Sequence, residues 1–231
     1  MDCASAGKLY IVATPIGNLK DITLRALETL KSVDLILSED TRETQKLLNH
    51  FEIEKPQTPY TDQKHDRTID FVIEKLDLGK NIALVSDSGT PVISDPGFNL
   101  VRDLKAKGYC IESIPGPSSP IAALSISGLP TDKFTFIGFL PKSDGKKTTL
   151  LKHYANNDAS LVIFESPNRI NKTLKLINDV LGNRVVCVAK DLTKKFENVE
   201  THYIKKIIRK KVIEKGEYII IIAKEGYKLN G

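Results

Sequence analysis

Two adjacent acids, Glu39 and Asp40, close an apolar run and are followed at once by Thr41 and Arg42. An unpaired carboxylate at the end of such a run is costly, so a polar site at a strand end accounts for the cluster. A helix N-cap, with an Asp or Thr oxygen on free amides, accounts for it too. Asp87 and Asp95 stand in a second turn-rich stretch, Ser86-Asp87-Ser88-Gly89-Thr90-Pro91-Val92-Ile93-Ser94-Asp95-Pro96-Gly97. Carboxylates of this kind can accept or orient the proton of a hydroxyl. A guanidinium such as Arg42 can grip a carboxylate or phosphate through two parallel hydrogen bonds. Glu39, Asp40, Asp87 and Arg42 are therefore the candidate catalytic residues, with Asp95 as a further acceptor.

Three more loops carry the residues that let backbone approach a ligand. Ala13-Thr14-Pro15-Ile16-Gly17-Asn18-Leu19 is small and kinked, which suits close contact by main-chain amides. It has neither the spacing of a dinucleotide fingerprint nor the Lys of a phosphate-binding loop, and a plain strand-to-helix turn fits equally. Pro115-Gly116-Pro117-Ser118-Ser119-Pro120 precedes an Ala- and Ser-rich stretch, offering amides and hydroxyls at a helix start. Phe164-Glu165-Ser166-Pro167-Asn168-Arg169 follows an apolar run; here a capped helix start with Arg169 on the surface is the competing reading. The Ser86–Gly97 stretch exceeds the roughly two to six residues that such connections need.

These loops need strands to end on and helices to begin. Short apolar runs recur at Leu9-Tyr10-Ile11-Val12-Ala13, Asp34-Leu35-Ile36-Leu37, Asn81-Ile82-Ala83-Leu84-Val85 and Cys110-Ile111-Glu112-Ser113-Ile114. Others follow at Phe134–Ile137, Leu161–Phe164, Val185–Ala189 and Tyr218–Ile222. Their length and β-branching suit strands covered on both faces, as parallel sheets require. Between them, Ile22–Val33, Thr68–Leu78, Lys146–Tyr154 and Arg169–Leu181 repeat apolar residues at helical spacing. The class is α/β. The Pro115-Gly116-Pro117 turn predicts two α/β lobes, 1–114 and 118–231, with a cleft between them; ligands of such folds bind beyond the carboxyl ends of strands.

Composition sets few limits. The 231 residues carry a net charge of +5, which permits a polyanionic partner without requiring one. Cys3, Cys110 and Cys187 are widely separated, and the four histidines are scattered. No metal site is expected from them, nor an oxidised secreted scaffold; Cys110 and Cys187 read as small core residues. With no apolar leader or span-length run, a cytoplasmic protein without membrane contact is expected.

The order and wording of the five loops resemble the tetrapyrrole methylase superfamily, and within it the ribosomal RNA small subunit methyltransferase I family. The likeness runs through Leu9–Leu19 with Asp21-Ile22-Thr23, Ser38-Glu39-Asp40-Thr41-Arg42 and Ala83–Pro91. It continues through Pro115–Ser119, Gly128-Leu129-Pro130, Phe136–Pro141, Glu165-Ser166-Pro167 and Leu192-Thr193-Lys194 to Lys215-Gly216-Glu217. The resemblance implies two lobes of the class III methyltransferase kind, S-adenosylmethionine bound in the cleft, and commonly a homodimer. It implies 2′-O-methylation of a cytidine in the decoding region of small-subunit (16S) ribosomal RNA, with that RNA or the 30S subunit as partner. Carried over by position, Ile16, Thr90, Pro91, Val92, Ile93, Ser118 and Ser119 would line the cofactor site. Phe164, Ala189 and the strand of Tyr218 would complete its far wall. Asn168 stands where the family usually has His, Lys190-Asp191 replaces a usual Arg-Glu, and Tyr60-Thr61-Asp62-Gln63-Lys64-His65 lacks the usual His-Asn-Glu wording.

On this reading Asp40 or Asp87 orients the ribose hydroxyl while Arg42 holds the RNA backbone. Lys142, Lys146 and Lys147, with Lys205, Lys206, Arg209, Lys210 and Lys211, are candidate phosphate contacts, or else solvated helix faces. The rival readings are a precorrin-type small-molecule methyltransferase and a non-enzymatic nucleotide-sensing module.

Overall fold

Leu35-Ile36-Leu37-Ser38 and Ile82-Ala83-Leu84-Val85 are buried at every position, a pattern met only by strands with helices on both sides. The computed structural model describes residues 6–229 and gives that arrangement; Cys3 lies outside the described residues. It divides into two compact units, one running through Ser118 and the other starting at Ser119.

In chain order the first unit contains β1 (Leu9–Val12), α1 (Leu24–Ser32), β2 (Leu35–Ser38), α2 (Thr41–His50) and β3 (Gln57–Pro59). It continues with α3 (His65–Asp77), β4 (Ile82–Val85), α4 (Phe98–Ala106) and β5 (Ile111–Ile114). The sheet order is β3-β2-β4-β1-β5, and every pairing is parallel. Alternate residues feed two separate cores. Leu35, Leu37, Ile82 and Leu84 pack with Val72 and Leu76 of α3 and Leu100 and Leu104 of α4. Ile36, Ala83 and Val85 pack with Ala26 and Leu30 of α1 and Leu47 and Leu48 of α2. All strands being parallel, their carboxyl ends meet at one edge, and every loop singled out in this half of the sequence emerges there.

The second unit contains α5 (Ser119–Ile126), β6 (Phe134–Phe139), α6 (Asp144–His153), β7 (Ser160–Glu165) and α7 (Ile170–Leu181). Then come β8 (Val185–Lys190), β9 (Asn198–Tyr203), α8 (Ile204–Lys210) and β10 (Tyr218–Ile222). Its sheet order is β6-β7-β10-β8-β9. Leu161, Ile163, Val186, Val188, Ile220 and Ile222 face α6, α7 and α8 across one core. On the other face α5 packs against β10, and the Thr201 hydroxyl donates to the Ser127 carbonyl just after that helix (2.7 Å).

Parallel pairing, expected throughout, fails here: only β6 and β7 are parallel, and β10 and β9 run antiparallel to their neighbours. A continuous apolar run reports burial on both faces, which α5 and the other helices supply, and says nothing of strand direction. Two strands escaped the sequence reading, β3 with its terminal Pro59 and the polar β9. Both are edge strands, where polar residues and proline are tolerated because one side of the ladder is open. Among the described residues no helix is long and apolar enough to cross a membrane.

Candidate active site

The first unit stitches three loops together at the carboxyl ends of β1, β4 and β5. Thr14 and Gly89 exchange backbone hydrogen bonds of 2.8 and 3.1 Å, and the Thr14 hydroxyl donates to the Ser86 carbonyl (3.3 Å). The Thr90 hydroxyl donates to the Pro117 carbonyl (3.1 Å). Two glycines permit this closeness. Gly89 has φ of +80°, and a Cβ there would lie 3.3 Å from Ile16 Cγ2; one on Gly116 would lie 3.0 Å from Ala13 Cβ. The expected Ile16, Thr90, Pro91 and Ser118 thus sit in one set of interlinked loops.

Backbone strain is also present in this loop. Val92 has φ of 76° and Ser94 φ of 67°, a conformation that a β-branched side chain rarely adopts. Such strain persists only where the surroundings over-determine it, and it gathers at ligand sites. The neighbouring Ile93 is 48% exposed.

The predicted acids also converge, through a two-way backbone clasp. The Asp40 N–H donates to Asp87 Oδ1 (3.0 Å), and the Asp87 N–H donates to Glu39 Oε2 (3.3 Å). Burial pushes Glu39 upward, reinforced by the charges of Asp87, Asp95 and Asp40. Burial likewise raises Asp87, with the Asp40 charge adding to it, and raises Asp95 beside Asp87. Asp40 goes the other way: the Arg42 guanidinium holds it far below the usual carboxylate range. It caps α2 by accepting from the Arg42 N–H (2.9 Å), and accepts from Arg42 Nε (3.0 Å) and Nη2 (2.6 Å). The capping reading is therefore realised, in a residue whose backbone N–H also meets Asp87. The Arg42 side chain remains 85% exposed beside an open polar groove of about 660 Å³ lined by Thr41, Gln45, Lys46 and Gln57 among others.

In the second unit Phe164 and Ala189 are both partners of Ile219, in adjacent strands, so the three share one face of the sheet. Tyr218 is one residue out of phase and belongs to the opposite, helix-covered core, where its hydroxyl donates to the Ile213 carbonyl. A wall built from β10 therefore presents Ile219, not the Tyr218 ring; strand alternation is the signal that identifies it. Ser119 opens α5.

Arg169 is not a plain surface cap. It pairs with the fully buried Glu165 (3.0 Å) and donates to the Leu140 carbonyl (2.8 Å). Glu165 also accepts from the Thr173 hydroxyl (2.5 Å) and the Ser166 N–H (2.8 Å). This motif clamps β7, α7 and the Leu140-Pro141 segment together. Lys147, expected as a phosphate contact, is only 2% exposed and lies 3.4 Å from Asp144, so it is withdrawn from solvent; Lys142 and Lys146 are exposed.

The sequence reading missed a group that fixes the strained loop. Both Asp62 carboxylate oxygens accept from the Gly97 N–H (3.2 and 3.3 Å) at the start of α4. The buried Tyr60 hydroxyl lies 3.2 Å from Asp62 and 2.9 Å from His65 Nδ1, and His65 Nε2 lies 2.9 Å from Asp103. In the sequence Tyr60 to His65 stands out only for lacking the family's usual wording, and a polar stretch of this kind carries no local signal of an anchor.

Residues 8–208 match the family model described as Tetrapyrrole (Corrin/Porphyrin) Methylases. A protein of Rickettsia prowazekii called Ribosomal RNA small subunit methyltransferase I is 46% identical over 217 residues, 93% of this chain and 78% of that one. One of the same name from Thermotoga maritima is 47% identical over 188 residues, covering 81% and 84%. Among solved structures, the methyltransferase CobJ superposes with a TM-score of 0.73 over 98% of each chain at 16% identity, a likeness of fold alone.

Proposed function

The chain belongs to the ribosomal RNA small subunit methyltransferase I family of tetrapyrrole methylases, and on that premise we propose that it methylates the ribose 2′-hydroxyl of a cytidine in the decoding region of small-subunit ribosomal RNA. Enzymes of this family are methyltransferases that use S-adenosylmethionine. The observation that carries the acceptor chemistry is the clasp of Glu39, Asp40 and Asp87 beside the strained Gly89–Gly97 loop.

The residues present fit the cofactor. Gly89 and Gly116 let the loops of Ile16, Thr90–Ile93 and Ser118 pack closely on one another, which brings their main-chain groups together, and the nearby carboxylates suit a cationic ligand. S-adenosylmethionine supplies an electrophilic methyl group on its sulfonium, and in-line approach with water excluded is what the site must add.

Asp87 is the better proton acceptor of the two candidates. Its Oδ1 is fixed by the Asp40 N–H and its pKa is raised, whereas Asp40 is tied to Arg42 and depressed. Asp87 would accept the hydroxyl proton as the ribose oxygen takes the methyl, the sulfur–methyl bond breaking to release a neutral thioether. Asp40 holds Arg42 in place, and Arg42 presents its exposed guanidinium to a phosphate at the polar groove.

The test is transfer of labelled methyl from S-adenosylmethionine to small subunits lacking the modification, followed by nuclease mapping. Asp87→Asn should lower kcat by about 10²-fold or more, while Asp40→Asn, which keeps the cap, should lose less. The wild-type rate should fall on the acid side at a pH above the ordinary Asp value of about 3.9. A wild-type rate in Asp87→Asn removes Asp87 as acceptor. No label on the RNA, with cofactor binding intact, moves the acceptor to a small molecule of the precorrin kind.

A further inference from the structure

A second concavity lies wholly within the second unit. It is a cavity of about 460 Å³ bounded by β8, β9, α8 and the segment between α8 and β10. Its floor is apolar, made by Val188, Ile207 and Tyr218; its rim carries Lys190, Lys195, Lys210 and Lys211. Phe196 stands at the mouth with its ring 70% exposed, and Ile213 is 69% exposed.

The lysines are unequal. Lys190 lies 3.5 Å from Asp191 and Lys210 lies 3.1 Å from Glu200, so both are neutralised in place. Lys195 and Lys211 have no carboxylate partner among the described residues. The Lys195 ammonium instead lies 5.7 Å from the Phe196 ring centre. Lys211 ends α8 with φ of 60°, a turn that ordinary side chains adopt at some cost. Of the two glutamates in the lining, Glu200 is held by Lys210 and Glu197 accepts from the Thr193 N–H (2.6 Å).

An apolar floor, an exposed aromatic ring and two cations without carboxylate partners form the combination that single-stranded nucleic acid needs: a face for the base and charge for the backbone. The volume falls in the range of about 300–1,000 Å³ typical of small-ligand sites, enough for one nucleotide. We propose that this groove holds one unpaired nucleotide of the RNA substrate, its base against Phe196 and its flanking phosphates at Lys195 and Lys211. The assignment rests on the RNA reading above and adds to it a binding site distant in sequence from the reacting carboxylates.

The measurement is fluorescence anisotropy of a short fluorescein-labelled single-stranded oligocytidine, titrated with the full chain at several salt concentrations. Phe196→Ala should weaken binding by about tenfold. The double variant Lys195→Ala, Lys211→Ala should reduce the slope of log Kd against log salt by about one to two. All three side chains are exposed, so melting temperature and S-adenosylmethionine affinity should match the wild type, which separates a lost contact from a lost fold. Wild-type RNA affinity and salt slope in both variants would overturn the groove. So would variants that bind protein-free RNA normally but lose assembled small subunits, since the occupant would then be a ribosomal protein. Methyl transfer is read separately. Normal transfer with unaltered variant binding strikes the groove alone; no transfer by a wild type whose RNA binding depends on Phe196 strikes the methylation reading alone.

Discussion

Asp40 and Asp87 are joined by one hydrogen bond yet shift in opposite directions, because Asp40 faces a guanidinium while Asp87 is raised by burial, with its neighbour's negative charge adding to it. Divergent pKa values in a shared site are how like groups acquire different roles. Glu39 shows the energetic side of this arrangement. Its folded pKa is raised, so its contribution to stability is complete below the unfolded value and is lost as pH rises through the folded one. Glu39→Gln, which keeps an oxygen for the Asp87 N–H, should therefore melt at a higher temperature than the wild type at pH 7. The two should converge near pH 4, as followed by circular dichroism; a lower melting temperature at pH 7 would mean that the carboxylate charge stabilises the clasp. The acids and Arg42 could be named from residue order because each follows an apolar run. Their division of labour could not, since it depends on which backbone amide each oxygen meets across 47 or 48 residues of chain.

At the scale of elements, the Ser86–Gly97 loop is held at both ends. Thr14 and Pro117 fasten its beginning, and Asp62 fastens its end at Gly97. Gly97 has φ of +128°, and a Cβ there would lie 2.6 Å from Leu84 Cδ2 and 3.0 Å from Val92 Cγ2. Gly97→Ala should cost about 1–3 kcal/mol in a denaturant titration, from a strained backbone and a collision with the β4 core. Asp62→Ala should cost about 1–3 kcal/mol by leaving the Gly97 N–H unmet. It should also raise the KM for S-adenosylmethionine more than it lowers kcat, because it frees the far end of a loop instead of removing a reacting group. An unchanged KM would make the Asp62 bond purely structural. The loop's length announced it in the sequence; its anchor did not, because Asp62 sits 35 residues away in a segment of unremarkable wording.

For the whole molecule, each unit contains apolar clusters of its own. Among the described residues, the buried side chains of two clusters come from Leu9 to Ile114, and those of another from Leu140 to Ile222. Each is within the size at which a single core sustains folding. The chain through Ser118 should therefore fold alone, with a helical far-ultraviolet spectrum and a cooperative thermal transition; a non-cooperative melt would show that the first unit depends on the second. The α/β class, most strands and helices, and the loops that carry Glu39, Asp40, Arg42, Asp87 and the Gly89 turn were determined by the sequence itself, because apolar periodicity and Gly/Pro punctuation are local properties. Strand direction in the second sheet, the edge strands β3 and β9, the exchange of Tyr218 for Ile219 on the sheet face and the withdrawal of Lys147 were decided only in three dimensions. Each depends on which neighbour a residue meets across the chain, and pairing partners and facing helices leave no local trace in the order of residues.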